Sequence, residues 1–259
     1  MAAVLASRTR REGHRPLLTS YDDVIGARTE LSYATVDNWA AKTANLLVEE
    51  FDVRPGATVA FDLDGHWTTV PLALACWKIG AAVDPRPDAG ADIVCCHETR
   101  AGYHSTGPVV VAGDGFTTEP LGPVAGRDGL LLLGEHVHGF ADDYDDTDVS
   151  AQTPALAGDG PPVPHSALVA CAGAWQKLLG DSPRVGLAAP LDHPRAFDLL
   201  AGVVTTGGSL VAVRSHTAPS YADRWSAERV TAVAGPADAV AAAGDDGTVV
   251  TFDEVAAPA

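Results

Sequence analysis

Apolar positions in the first third of the chain recur at helical and then at strand spacing, and this predicts a repeating order of elements. Val36, Trp39, Ala40, Thr43, Leu46 and Leu47 fall on one face of a helix running from about Tyr33 to Phe51. Ser32 stands just before it, where a hydroxyl can accept from the free amides of the first turn. Arg54-Pro55-Gly56 forces a turn, and Thr58–Phe61 reads as a strand. A second helix is expected from His66 to Ile79, striped by Trp67, Val70, Leu74 and Trp77, with Gly80 closing it in a left-handed turn. Ala81-Ala82-Val83 is the next short strand. Strand, helix and strand with short links make a crossover unit, which implies parallel strands covered by helices.

The middle of the chain is less regular. Asp92–Cys96, Val109–Ala112 and Leu130–Leu133 read as strands. From Ala141 to Pro164 the sequence turns acidic and then rich in proline and glycine, as an exposed loop or subdomain boundary does. Order returns with a helix over Ser166–Leu179, then strand Arg184–Ala189, helix Arg195–Val204, strand Leu210–Val213, helix Tyr221–Arg229 and strand Thr231–Ala234. A small helix over Ala237–Ala243 follows. This alternation favours an α/β fold with a second set of parallel strands.

Charge narrows the partners. Seventeen basic residues face 34 acidic ones, a formal charge of −17, so the surface repels nucleic acid and anionic membrane. High aspartate with scarce lysine has two explanations, GC-rich coding bias or adaptation to salt. Cys76, Cys95, Cys96 and Cys171 have no CxxC spacing and read as reduced, buried thiols. Arg10-Arg11 resembles the start of a twin-arginine signal, but Glu12-Gly13-His14 follow where an apolar segment is needed. No run reaches the ~18 apolar residues of a membrane span. The expectation is a cytoplasmic protein that binds neither nucleic acid nor membrane.

Residues 28–85 resemble the opening of the adenylate-forming superfamily, which includes acyl-CoA synthetases, peptide-synthetase adenylation domains and luciferases. The matching stretches are Leu31-Ser32-Tyr33 leading into Ala44-Asn45-Leu46-Leu47, then Val53-Arg54-Pro55-Gly56, then Ala75–Pro85 with its Gly80-Ala81 turn. Downstream, Pro164–Leu168, Leu187–His193, Gly207–Val211 and Val230–Pro236 follow in the same order. The resemblance implies an adenylate-forming-type N-terminal domain, with two mostly parallel sheets flanked by helices in layers. Residues 1–150 are expected to form a first subdomain ending in the acidic loop, and 151–259 a second.

In that superfamily a hydroxyl- and glycine-rich loop ending in Pro-Lys-Gly holds the ATP phosphates. The equivalent stretch here is Thr153–Pro164, and it keeps Gly158 and Gly160 but places Asp159 between them. The hydroxyl cluster and lysine are missing, and Pro161 and Pro162 offer no amide donors. Gly158, Asp159 and Gly160 are therefore the candidate, degenerate phosphate site. The resemblance places His193 at the rim of an acyl pocket. The superfamily's later adenine, magnesium, ribose and lid-lysine groups have no counterpart between Pro236 and Ala259.

Other constellations carry little chemistry. Glu135-His136-Val137-His138 would share a metal only if the segment were extended, and no further ligand is specified. Asp142–Asp148 has oxygen ligands but lacks the glycine and distal glutamate of a calcium loop. No catalytic residue, metal or cofactor is expected, ATP or AMP with magnesium being the alternative. The expected role is a ligand-binding or protein-interaction domain without autonomous adenylation. It would take a small acyl or nucleoside ligand, a second copy of itself or another protein. The alternative is a split ligase half that needs a lid-bearing partner chain.

Overall fold

The computed structural model describes residues 1–87, 90–115, 117–145, 149–216, 221–243 and 248–258. In chain order the first elements are α1 (Ala2–Glu12), β1 (Pro16–Asp22), β2 (Ala27–Ser32), α2 (Tyr33–Phe51), β3 (Thr58–Asp62), α3 (Thr69–Ile79) and β4 (Ala82–Asp84). Next come β5 (Ile93–His97), β6 (Val109–Ala112), β7 (Leu130–Leu132), α4 (Leu133–His136), β8 (Pro154–Leu156) and β9 (Val163–Pro164). The last are α5 (His165–Leu179), β10 (Arg184–Leu187), α6 (Pro194–Thr206), β11 (Ser209–Arg214), α7 (Ala222–Ala227), β12 (Ala232–Gly235), α8 (Ala237–Ala243) and β13 (Thr248–Thr251).

The strands form two sheets, ordered β13-β12-β10-β11-β1-β2 and β7-β6-β5-β3-β4-β8-β9. All described pairings are parallel except β1–β2 and β8–β9. The α/β class with mostly parallel sheets is therefore present. The division of the chain differs from the sequential cut at 150/151. One compact unit comprises residues 1, 3–36 and 166–259, and the other residue 2 and 37–165. The reason is β1, which pairs in parallel with β11 in the register Leu18↔Leu210 and so draws the first strands to the last third of the chain.

In the second unit α3 is the central helix. All of its residues are buried, so the stripe read from the sequence is part of an apolar helix covered all round. It also starts at Thr69, three residues later than the spacing predicts. Asp64 and Gly65 adopt positive φ, and His66 closes its own turn through Thr69 N and Thr69 Oγ1, both bonded to the His66 carbonyl. Gly80 ends α3 at φ 84°, and a Cβ there would meet Val149, Pro55 and Thr153 at 3.3–3.4 Å. Trp77 Nε1 donates to the Ala155 carbonyl at 2.9 Å, tying α3 to β8. Ser32 caps α2 as expected, its Oγ accepting from Thr35 N at 3.1 Å.

In the first unit the core gathers Ala188, Val211, Trp225, Val233 and Val240. α5 and α6 approach closely, since a Cβ on Gly202 would lie 2.6 Å from Trp175 Cβ. All four cysteines are free and buried. Glu135 and His136 end α4 and His138 lies in the following 310 turn, so residues two apart do not share a side as they would on a strand. Within the acidic stretch Lys42 pairs with Asp142 at 2.5 Å, while 146–148 lie outside the described residues. No helix among the described residues is long and apolar enough to cross a membrane.

Candidate functional site

Gly158, Asp159 and Gly160, the expected phosphate site, lie at the tip of a hairpin. β8 and β9 pair antiparallel, β8 adds to the edge of β4, and Ala157 N donates to the Val83 carbonyl at 2.8 Å. This brings Gly158-Asp159-Gly160 beside the residues that leave β4. Asp84 ends that strand with only 2% of its side chain exposed. Arg86 wraps back onto it, with Nε 2.9 Å from Oδ1, Nη2 2.7 Å from Oδ2 and its own backbone N–H 3.0 Å from Oδ1. The remaining nitrogen, Nη1, reaches Asp159 Oδ1 at 2.6 Å. Bonds to Asp84 first and Asp159 second raise the guanidinium pKa.

Asp159 itself is 96% exposed, so its carboxylate stands at the front of the loop and Arg86 is fixed from behind. Neither Gly158 nor Gly160 has positive φ, and a Cβ on either would meet nothing within 4 Å. The local backbone does not need glycine there. The three residues expected to share a loop do so, and Arg86 is the partner that sequence reasoning missed.

His193 lies in the other unit and works as a helix cap. Its Nδ1 accepts from Arg195 N at 3.1 Å, and its ring packs on Phe252 with centroids 5.0 Å apart. Burial, and secondarily the Arg195 charge, hold its pKa below the ordinary histidine value. Below it, Asp198 accepts from Arg195, Trp175 Nε1 at 3.1 Å and Cys171 Sγ at 3.5 Å.

A second constellation sits at the carboxyl ends of β3, β5 and β6. The chain runs from β3 outward to β4, then crosses back to β5 on the other side of β3. A reversal of this kind opens a crevice beyond the strand ends, the general ligand position of open α/β sheets. Asp62 ends β3 and bonds His104 Nε2 at 2.8 Å, and Arg100 Nη2 reaches Asp64 Oδ1 at 3.2 Å. His66 follows β3, His97 ends β5 and Asp114 follows β6. Of the described residues, His97, Glu98 and Asp114 offer ligand atoms within 4.8 Å of one another. Beside them a cleft of about 400 Å³ is walled by Ala101, His104, Val124, Arg127 and Leu130.

Sequence reasoning missed this cluster because it ended one strand at Cys96 and placed His66 inside a helix. The available signal was the recurrence of His-x-Thr at or just beyond the ends of two neighbouring strands.

Taken together, these sheets have the fold of the N-terminal α/β domain of adenylate-forming enzymes. A long-chain-fatty-acid-CoA ligase from Archaeoglobus fulgidus superposes with a TM-score of 0.76 at 17% identity, over 93% of this chain and 52% of that one. The N-terminal domain of FACL13 from Mycobacterium tuberculosis superposes at 0.71 and 16% identity, over 92% of this chain and 63% of that one. An acyl-CoA synthetase from Brucella canis gives 0.75 and 20%, over 93% and 49%. The chain thus spans about half to two thirds of the length of these structures.

A curated protein of Mycobacterium tuberculosis strain H37Rv, named TIGR03089 family protein, is 31% identical over 242 residues, which cover 89% of this chain and 96% of that one. The chain belongs to this family. No protein-family model matches it.

Proposed function

We propose that this chain serves as a ligand-binding or protein-interaction domain on an adenylate-forming fold and does not adenylate an acyl substrate by itself. The observation that carries this reading is the run of ion pairs from Asp84 through Arg86 to Asp159 at the phosphate-loop position. Adenylation needs cations and amide donors around the triphosphate. Here the one cation bonded to the described loop is shared by two carboxylates, and Pro161 and Pro162 supply no N–H. Mg·ATP would have to win Arg86 from both anions while facing Asp159. The residues present do not fit a tightly gripped triphosphate.

The cleft of about 400 Å³ beside His104 and Arg127 supports a small acyl or nucleoside ligand, being within the size range of small-molecule sites. A second copy or another protein is the other form this role takes. Arg86 also favours a second reading, the split ligase half. A partner chain that drew Asp159 away would leave an arginine at the loop, where the superfamily keeps its lysine.

Calorimetry of the full chain with Mg·ATP, AMP and a panel of acyl-CoAs, beside an ATP–pyrophosphate exchange assay, tests the first reading. The expected result is neither Mg·ATP heat nor exchange from the wild-type chain. Asp159→Ser, which removes the charge and restores a hydroxyl, is expected to gain Mg·ATP binding. Robust ATP-dependent pyrophosphate release by the unmodified chain alone would overturn the proposal.

A further inference from the structure

Two imidazoles at the β3/β5 reversal converge on one carboxylate oxygen. His97 Nε2 is 3.0 Å and His66 Nε2 3.8 Å from Asp114 Oδ1, and the ring centroids are 5.4 Å apart. Both rings are oriented by the same device. His66 Nδ1 lies 2.8 Å from the hydroxyl of Thr68, and His97 Nδ1 lies 2.9 Å from that of Thr99, each threonine two residues on. Each Nε2 is thereby turned toward Asp114. His66 and His97 are 3% and 0% exposed, and Asp114 is 9% exposed, so the geometry is held by packing and not by solvent-facing rotamers.

The separations from Asp114 Oδ1 approach the demands of a small tetrahedral ion. His66 stands outside the set of donor atoms within 4.8 Å of one another, which among the described residues is His97, Glu98 and Asp114. Zinc–imidazole bonds of about 2.0–2.1 Å place neighbouring ligand atoms about 3.4 Å apart, and the two observed separations straddle that value. A hydrogen-bond acceptor on the far ring nitrogen is the usual means of aiming a metal-bound histidine, and here a threonine hydroxyl stands at that place. The donor set of imidazole and carboxylate suits zinc, cobalt and related ions over magnesium or calcium.

We propose that His97 Nε2 and Asp114 Oδ1, with His66 Nε2 drawn in from 3.8 Å, form a binding site for a divalent transition metal of the zinc class. Glu98, within 4.8 Å of the His97 and Asp114 ligand atoms, is the neighbouring carboxylate, though it already accepts from the backbone N–H groups of Asp114, Leu121 and Gly122. Because Thr68 N and Thr99 N face the Nδ1 atoms, the ring protons are assigned to Nε2 in the metal-free protein, on the side of Asp114. Metal uptake moves each ring proton to Nδ1, where Thr68 and Thr99 turn from donor to acceptor. The long contacts from Thr68 N and Thr99 N to the same Nδ1 atoms, 3.5 and 3.3 Å, are given up. This site was not foreseen from the sequence, where no metal was expected, and it is independent of the proposed function.

The test is titration of chelator-stripped full-length chain with Co²⁺, then competition with Zn²⁺. One equivalent of Co²⁺ should give the intense visible bands of a tetrahedral site, and Zn²⁺ should erase them. His66→Gln and Asp114→Asn should each weaken binding by at least about 10-fold, the scale seen even for loss of an outer-sphere partner. His138→Gln, on a different turn, should leave it unchanged. Undiminished binding in both site variants, or only the pale spectrum of an octahedral surface ion, would overturn the proposal. Should the variants fail to fold, imidazole ¹⁵N spectra of the wild-type chain decide. Zn²⁺ must shift the Nε2 signals of His66 and His97, and unshifted signals would show a purely hydrogen-bonded His–Asp–His cluster.

Discussion

Removing the Asp198 carboxylate should cost the first unit about 3–5 kcal/mol, the range for stripping one partner from a buried ion pair. Asp198 lies on α6 with 1% of its side chain exposed. Its two oxygens receive Arg195 Nε at 3.1 and 3.3 Å and Arg195 Nη2 at 3.0 Å. Trp175 Nε1 adds a fourth contact at 3.1 Å from a ring that is wholly buried. Asp198→Ala leaves that indole N–H without its acceptor, which alone costs about 1–3 kcal/mol. It also leaves a largely buried guanidinium without its counter-charge.

Arg195 would still hold the Phe252 and Val255 carbonyls at 2.9 and 2.8 Å, which limits the loss. Asp198→Asn keeps the volume and can still accept from Trp175, so its cost should be smaller, about 2 kcal/mol. Urea unfolding followed by tryptophan fluorescence measures the total, and hydrogen exchange of the α5 and α6 amides shows that the loss is local. Faster proteolysis within residues 252–258 should accompany it, since Asp198 orients the Arg195 that holds the Phe252 and Val255 carbonyls. A loss under about 1 kcal/mol for Asp198→Ala, or equal losses for both variants, would refute the reasoning.

Two further outcomes follow from named contacts. Gly202→Ala should destabilise by about 1–3 kcal/mol despite the better helix former, because its methyl would lie 2.6 Å from Trp175 Cβ and 2.9 Å from Cγ; a higher urea midpoint would contradict this. Burial pushes the Glu228 carboxyl pKa up, but hydrogen bonds from Arg28, Tyr21 and Arg184 outweigh it and hold the group down to about 2, against an ordinary 4.5. Its folded-state pKa is depressed, so its contribution is complete above about 4.5 and lost as pH falls toward 2. Solvent around Arg28 screens part of that interaction, so Glu228→Gln should cost about 1–2 kcal/mol at neutral pH. Urea midpoints taken down the pH scale should bring variant and wild type together, and a gap that stays constant would count against it.

Helix α2 and its Ser32 cap were legible because both depend on contacts within a few residues. Spacing in the chain is then spacing on the surface. The Gly80 turn was legible for the same reason, a single residue free to adopt positive φ. The α/β class followed from the alternation of such local units. β1 and β2 were not legible, for the opposite reason. Leu17, Leu18, Thr19 and Ser20 are all buried, so β1 shows no alternation, and its partner β11 lies in the last third of the chain. β13 escaped notice likewise, as a short strand recruited by β12.

The sequence by itself determined that residues 153–164 carry no lysine and a single hydroxyl, on Thr153, because residue identity needs no fold to be read. Only the tertiary structure decided which cation meets that loop. Arg86 reaches Asp159 because β8 pairs with β4, a long-range pairing that no local pattern encodes. The same holds for His66, His97 and Asp114. Each follows or ends a different parallel strand, and their side chains meet only because those strands register side by side. Local free energies shape each element, while sheet order, set by burial of the whole unit, decides which chemical groups become neighbours.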